Sequence, residues 1–235
     1  MPVPSDEAAP GDEGQTLEED ETYYLADLFI RVENGLYKVP RRYFETESEF
    51  FQEMFGLPVS EGTTPEGSIK DNPLCIEGVK RHDFLQLLRV LHPPHFQREA
   101  ELSCEEWTSV LELATMWRFQ EIRRLAIEKM DTFSMDPIQK LVLAKRLEVT
   151  QWILPAIREV AQRAEPIGID EVNWLGVEWA FKIAAVRESD LASGSHRCSY
   201  CGRSTSVYEG RAKEEGRGEK TGVDYDNRIR CVFGL

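Results

Sequence analysis

Leu28, Ile30 and Val32 alternate with Phe29 and Arg31, and Glu33-Asn34-Gly35 follows at once. Period-two alternation predicts a half-buried strand, because successive strand side chains point to opposite faces. Asn-Gly is the strongest short hairpin signal, since both residues tolerate positive φ. Leu36 to Val39 then reads as the return strand. Beyond it the spacing becomes helical. Pro40 can open a helical turn, where its missing N–H is an orphan anyway. Thr46 and Glu49 read as a capping box, with Phe50, Phe51, Met54 and Phe55 as the apolar face behind it. Residues 57–73 hold three Pro and two Gly and predict a surface loop. Leu74 to Glu77 is a short strand. Phe84, Leu87, Leu88 and Leu91 stand at i, i+3, i+4 and i+7, an amphipathic helix that Pro93-Pro94 ends. Ser103 and Glu106 form a second capping box ahead of Trp107, Val110, Leu111 and Ala114. Phe119, Ile122, Leu125, Ala126 and Met130 mark one more helix.

The pattern makes residues 23–132 an α+β domain with a small, mainly antiparallel sheet and packed helical hairpins. Residues 133–188 read as an all-helical extension. Asp136-Pro137 supplies an N-cap and N1 proline before Ile138, Leu141 and Val142. Thr150 is expected to cap the next helix, with Ile153, Leu154, Ile157 and Val160 inside. Glu165-Pro166 breaks the run, and a last helix from Val177 to Glu188 is expected to pack Ala180, Phe181 and Ala184. Residues 189–235 form a Gly- and Ser-punctuated tail closed by a short amphipathic stretch, Tyr225 to Phe233.

Charge narrows the function. The 235 residues carry a net charge of −14, and residues 1–22 hold eight acids and no base. That segment cannot bury enough apolar surface to offset ordering, so disorder is expected. The rest still carries −6. Nucleic-acid and polybasic membrane contacts are disfavoured, because both need a clustered basic footprint. No run approaches ~18 apolar residues, and Met1 to Glu7 lacks the basic and apolar regions of a secretory signal. Five cysteines without such a signal read as reduced thiols or metal ligands in an intracellular protein, cytoplasmic or nuclear.

Catalytic motifs are absent. Gly62 to Ser68 has P-loop glycine spacing, but Ser68 stands where the phosphate-binding lysine must be. His82, His92 and His95 are expected to face solvent. Cys104 follows the Ser103 cap, where a helix N-terminus can lower a thiol pKa, but no base accompanies it. The tail holds the one ligand pattern. His196-x-Cys198-x-x-Cys201 precedes Gly202, and Cys231 lies further on. Two thiolates from one tight turn, a histidine and a third thiolate would complete a tetrahedral structural zinc. A metal-dependent enzyme fares worst, since such a site leaves no position open for substrate.

Asp27-Leu-Phe-Ile-Arg-Val32, Leu36-Tyr-Lys-Val39, Ser48-Glu-Phe-Phe51 and Met54-Phe55 lead on to Ile76-Glu-Gly-Val79, Phe84 to Leu91 and Val110 to Ala114. In this order they resemble the BTB/POZ domain over about residues 24–132. Val39-Pro-Arg-Arg42, Ala114-Thr-Met-Trp117, Arg124 to Lys129 and Ala184 to Glu188 resemble the expanded BTB family of basidiomycete fungi. Pro40 replaces the family's frequent histidine, and Leu91-His-Pro-Pro94 replaces its usual Tyr-Thr-Gly. The resemblance implies an interaction module rather than an enzyme, one that self-associates or joins a protein partner. It carries over two partner features. Asp27 and Arg41 match the charged pocket of transcription-type BTB dimers. Val59-Ser60-Glu61 matches the hydrophobic-x-Glu motif that grips cullin-3, with Val59 filling an apolar cleft and Glu61 accepting hydrogen bonds at its rim. The leading expectation is a scaffold or cullin-3 ubiquitin-ligase adaptor. The alternative is a dimerising nuclear transcriptional co-regulator without direct DNA contact.

Overall fold

The computed structural model describes residues 18–20, 23–58, 62–93, 101–191 and 225–235. The chain divides into two compact units, Met1–Ala126 and Ile127–Leu235.

In the first unit, β1 (Asp27–Val32) and β2 (Gly35–Pro40) form the expected hairpin. Leu28, Ile30 and Val32 are fully buried, so the alternation marks the core face. The turn sits one residue earlier than expected. Val32 pairs with Gly35, so Glu33 and Asn34 are its central residues, and Glu33 takes the positive φ of 51°. Gly35 serves a different need: a Cβ there would lie 2.8 Å from the Tyr37 hydroxyl. β3 (Leu74–Ile76) joins β1 in parallel, giving a mixed three-stranded sheet in the order β2-β1-β3. The 57–73 segment is not all surface. Gly67 is buried, accepts from Phe29 N at 2.8 Å and donates to Asn72 O at 2.8 Å.

Helices follow the hairpin. α1 (Arg41–Glu47) and α2 (Glu49–Phe55) are separate helices, and the cap between them is Ser48, not Thr46. Ser48 is fully buried; its Oγ accepts from Phe51 N at 3.1 Å and donates to Trp117 O at 2.6 Å. The Thr46 hydroxyl donates back to Arg42 O, the usual sink for a mid-helix threonine. Phe51 alone of the expected α2 face is fully enclosed, and Phe50 is 37% exposed. Phe51 meets Phe44, Trp117 and Phe119 with ring centroids 5.0–6.0 Å apart. The Phe44 and Trp117 contacts are edge-on, a geometry that adds to the burial term.

α3 (Arg81–Leu91) and α4 (Cys104–Met116) pack as a hairpin. The expected Ser103–Glu106 capping box is formed in both directions, at 3.2 and 2.8 Å. Arg89 Nη1 joins the two helices, donating to Gln86 Oε1 at 2.7 Å and Glu106 Oε1 at 3.1 Å. α5 (Gln120–Met130) follows, and the division between the units falls within it.

The second unit is helical. α6 (Pro137–Arg146) starts at Asp136 as expected, with the carboxylate accepting from Gln139 N at 3.0 Å. α7 (Thr150–Gln162) has Val149 at its N-cap with no side-chain bond, so Thr150 is the first helical residue rather than the cap. α8 (Ile169–Leu175) occupies a stretch for which the residue pattern predicts no element. Arg163 Nη1 donates to Glu171 Oε1 at 2.7 Å, and Glu171 Oε2 accepts from Gly168 N at 2.7 Å. One carboxylate thus ties the end of α7 to the start of α8. α9 (Val177–Leu191) buries Ala180, Ile183 and Val186, whereas Phe181 is 67% exposed. The inward face is rotated from the expected one. α10 (Tyr225–Phe233) is the expected closing helix, held by buried Ile229, by Arg158 Nε donating to Asp226 at 2.9 Å and by Phe233 against Trp179.

Candidate functional site

The hairpin register decides what Asp27 can do. Asp27 lies opposite Pro40 and diagonal to Lys38, whose Nζ stands 2.7 Å from Asp27 Oδ2. Arg41 begins α1, and its backbone N–H donates to Ala26 O at 2.9 Å. Its guanidinium turns along the helix instead of toward Asp27. Nε donates to Glu45 Oε1 at 2.5 Å, and the guanidinium carbon stands 4.1 Å from the centre of the Phe55 ring. Asp27 and Arg41 are therefore neighbours in the chain path with separate partners, not a pair.

The second candidate feature begins where α2 ends. Gly56 closes the helix, with its N–H donating to Gln52 O at 3.0 Å, and Leu57 follows, 65% exposed. Val59, Ser60 and Glu61 lie outside the described residues. Glu53 on α2 is taken by Arg118, which sits at a positive φ of 54° between Trp117 and Phe119. The Arg118 hydrogen bond holds the Glu53 carboxyl below its ordinary range.

Nothing among the described residues assembles into a reaction centre. Cys104 is half-buried, and burial first, then Glu105, pushes its thiol up instead of down. Desolvation and the Glu105 charge both favour the neutral thiol. His82 and His92 are exposed as expected, while His95 lies outside the described residues. Beside the β3 edge a groove is lined by Arg31, Glu33, Cys75, Ile76 and Lys80. Glu33 there accepts from Arg81 N at 3.0 Å, so its carboxylate is already engaged. Among the described residues, no three His, Cys, Asp or Glu side chains are grouped to hold a metal ion. His196, Cys198 and Cys201 lie outside the described residues. Cys231 is on α10, half-buried and disulfide-bonded, where a reduced thiol or metal ligand was expected.

What the geometry offers is surface. Tyr23 and Tyr24 are 84% and 67% exposed just ahead of β1, and Leu36, Phe50 and Leu57 are exposed elsewhere on the same unit. Phe50 was expected on the buried face of its helix, and neither period-two nor helical spacing marks an apolar residue as exposed.

Comparison with known families agrees with this architecture. The profile of the BTB/POZ domain matches residues 16–134. The chain belongs to the BTB/POZ domain family. No curated protein matches it. The matched span covers the hairpin, the Ser48-capped α1–α2 pair and the α3–α4 hairpin. BTB domains are interaction modules, and the chain is read as one. Among the described residues no helix is long and apolar enough to cross a membrane.

Proposed function

We propose that this BTB protein is a scaffold that presents a protein partner to a cullin-3 ubiquitin ligase. The observation that carries the choice is the separation of Asp27 from Arg41. The co-regulator reading needs those two side chains in a shared charged pocket. Lys38 occupies one of them and Glu45 with Phe55 the other, within a single copy. The cullin reading asks nothing of them. It uses the exit of α2, where exposed Leu57 leads into Val59-Ser60-Glu61. Val59 would enter an apolar cleft of the cullin and Glu61 would accept hydrogen bonds at its edge.

Calorimetric titration with the cullin-3 N-terminal region tests this beside a Val59→Ala/Glu61→Ala variant. Heat of binding in the parent, lost in the variant, is expected. A parent that binds nothing removes the ligase reading and leaves a self-associating scaffold or a co-regulator. Within the family, we place the chain in the basidiomycete-type group on Val39-Pro-Arg-Arg42 and Ala184 to Glu188.

The tail carries a separate proposal, a structural zinc held by His196, Cys198, Cys201 and Cys231. It requires the reduced form of Cys231, since the thiolate is the ligand. Reduced protein is expected to carry about one equivalent of zinc, lost in Cys198→Ser/Cys201→Ser. Metal-free reduced protein in a zinc-containing buffer ends that reading.

A further inference from the structure

An apolar stripe on α9 is only partly covered by its own unit. Val177, Ala180, Phe181 and Ala184 stand at i, i+3, i+4 and i+7, so they share one side of the helix. Ala180 is buried, but Val177 is 60% and Phe181 67% exposed. The stripe lines a groove whose other wall includes Ile167 and Val172. A single exposed apolar residue needs no explanation, whereas a two-turn stripe facing a groove is the size of a helix-binding feature. The small side chains of Ala180 and Ala184 leave room beside Phe181 for a ridge of an incoming helix.

Charge selects the occupant. Glu188 lines the groove, Glu165 adjoins its Pro166 wall, and Asp170 stands in the first turn of α8. All three are exposed. The cations of the same stretch are engaged, Arg187 within the groove's own lining. Arg163 is held by Glu171, and Lys182 lies 2.7 Å from Glu178. Arg187 donates to the backbone carbonyls of Glu165 and Arg163 at 2.7 and 3.1 Å. Residues 163–188 contain five carboxylates against three cations. A second copy of a chain with a net charge of −14 would add like charge to this rim. We propose that the α8–α9 groove binds an amphipathic helix of a partner protein, apolar on one side and flanked by Lys or Arg.

Fluorescence anisotropy tests it with a labelled ~18-residue Leu/Lys amphipathic helix titrated with the full chain. Saturable binding is expected. It should weaken at least about tenfold in Val177→Ser/Phe181→Ser and clearly in Glu165→Gln/Asp170→Asn/Glu188→Gln. A Leu/Glu twin with the same Leu positions should bind at least about tenfold more weakly than the Leu/Lys helix. These substitutions touch exposed side chains or a groove lip, so circular dichroism and thermal midpoint should match the parent. Equal binding to the parent and to Val177→Ser/Phe181→Ser overturns the proposal, because acidity alone would then attract the peptide. Equal binding of the twin overturns the charge argument. Self-association by sedimentation that disappears in Val177→Ser/Phe181→Ser puts a second copy in the groove and overturns it too.

Discussion

Gly67 has φ +78°, and a Cβ built there would lie 2.6 Å from Leu28 Cδ1, 3.3 Å from Leu74 Cβ and 3.3 Å from Phe29 O. Two penalties meet at this residue, a left-handed backbone and a close approach to β1 and β3. Gly67→Ala should therefore destabilise the protein by about 2–4 kcal/mol. Gly78 has φ +76° with nothing within 4 Å of its added Cβ, so Gly78→Ala carries the backbone penalty alone, about 1–2 kcal/mol. Urea midpoints at unchanged slope read the difference; equal shifts would show that the Leu28 contact relaxes away. Ser48 gives a second residue-scale test. Ser48→Ala removes the α2 cap and leaves the buried Trp117 carbonyl without its donor, at a cost of about 2–3 kcal/mol. Thr46→Ala should stay within about 0.5 kcal/mol, since Thr46 is exposed. The Ser-x-x-Glu pattern located the cap at Ser103 but misplaced it near residue 46. Ser48 has Phe51 at the third helical position, so its second hydrogen bond goes to Trp117, 69 residues away. No local pattern can display that.

Between elements, Glu106 performs three tasks at once: it closes the α4 capping box, takes Arg89 from α3, and stands in the first turn of its helix. The Ser103 amide above all, with Arg89 adding, holds its carboxyl below the ordinary 4.5. A carboxylate depressed in the folded state contributes stability that is present above its unfolded-state pKa and is lost as pH falls through the folded one. Glu106→Gln keeps a hydrogen-bonding group at the cap and removes the charge. It should cost up to about 1 kcal/mol at neutral pH. The gap to the parent should close in the acid limb below the usual carboxylate range, where the parent is neutral too. Urea titrations at several pH values check this, and a gap that persists in acid would place the effect in packing. Helix existence was readable where one apolar face is long, as in α3, α4 and α7. α8 was not, because only Leu175 of its seven residues is buried while Ile169 and Trp174 are exposed. On α9 the expected inward positions divide, with Ala180 buried and Phe181 exposed. Two apolar stripes share that helix, and the sequence does not say which one its own unit covers.

At the scale of the molecule, the family was legible because dozens of apolar positions repeat the same message. A misplaced cap or turn leaves the order of hairpin, helix pair, strand and helical hairpin intact. Partner choice has no such redundancy. It rests on three residues of a polar stretch of sequence, or on which cation a strand register sets beside Asp27. The sequence offers Asp27 and Arg41 as a pocket, and only the pairing of Asp27 with Pro40 brings Lys38 across to claim the carboxylate. A paired experiment follows. Asp27→Asn/Arg41→Gln exchanges two surface ion pairs for neutral groups, a change of about 1 kcal/mol or less in stability. If the scaffold reading holds, this variant should titrate cullin-3 with the parent's affinity and show the parent's sedimentation profile. Val59→Ala/Glu61→Ala should instead lose cullin binding with its sedimentation unaltered. The reverse pattern, with assembly lost in Asp27→Asn/Arg41→Gln and cullin-3 ignored by every form, would mean that Lys38 and Glu45 release their partners on association. The charged pocket would then form only between copies, and the co-regulator reading would take the place of the ligase scaffold.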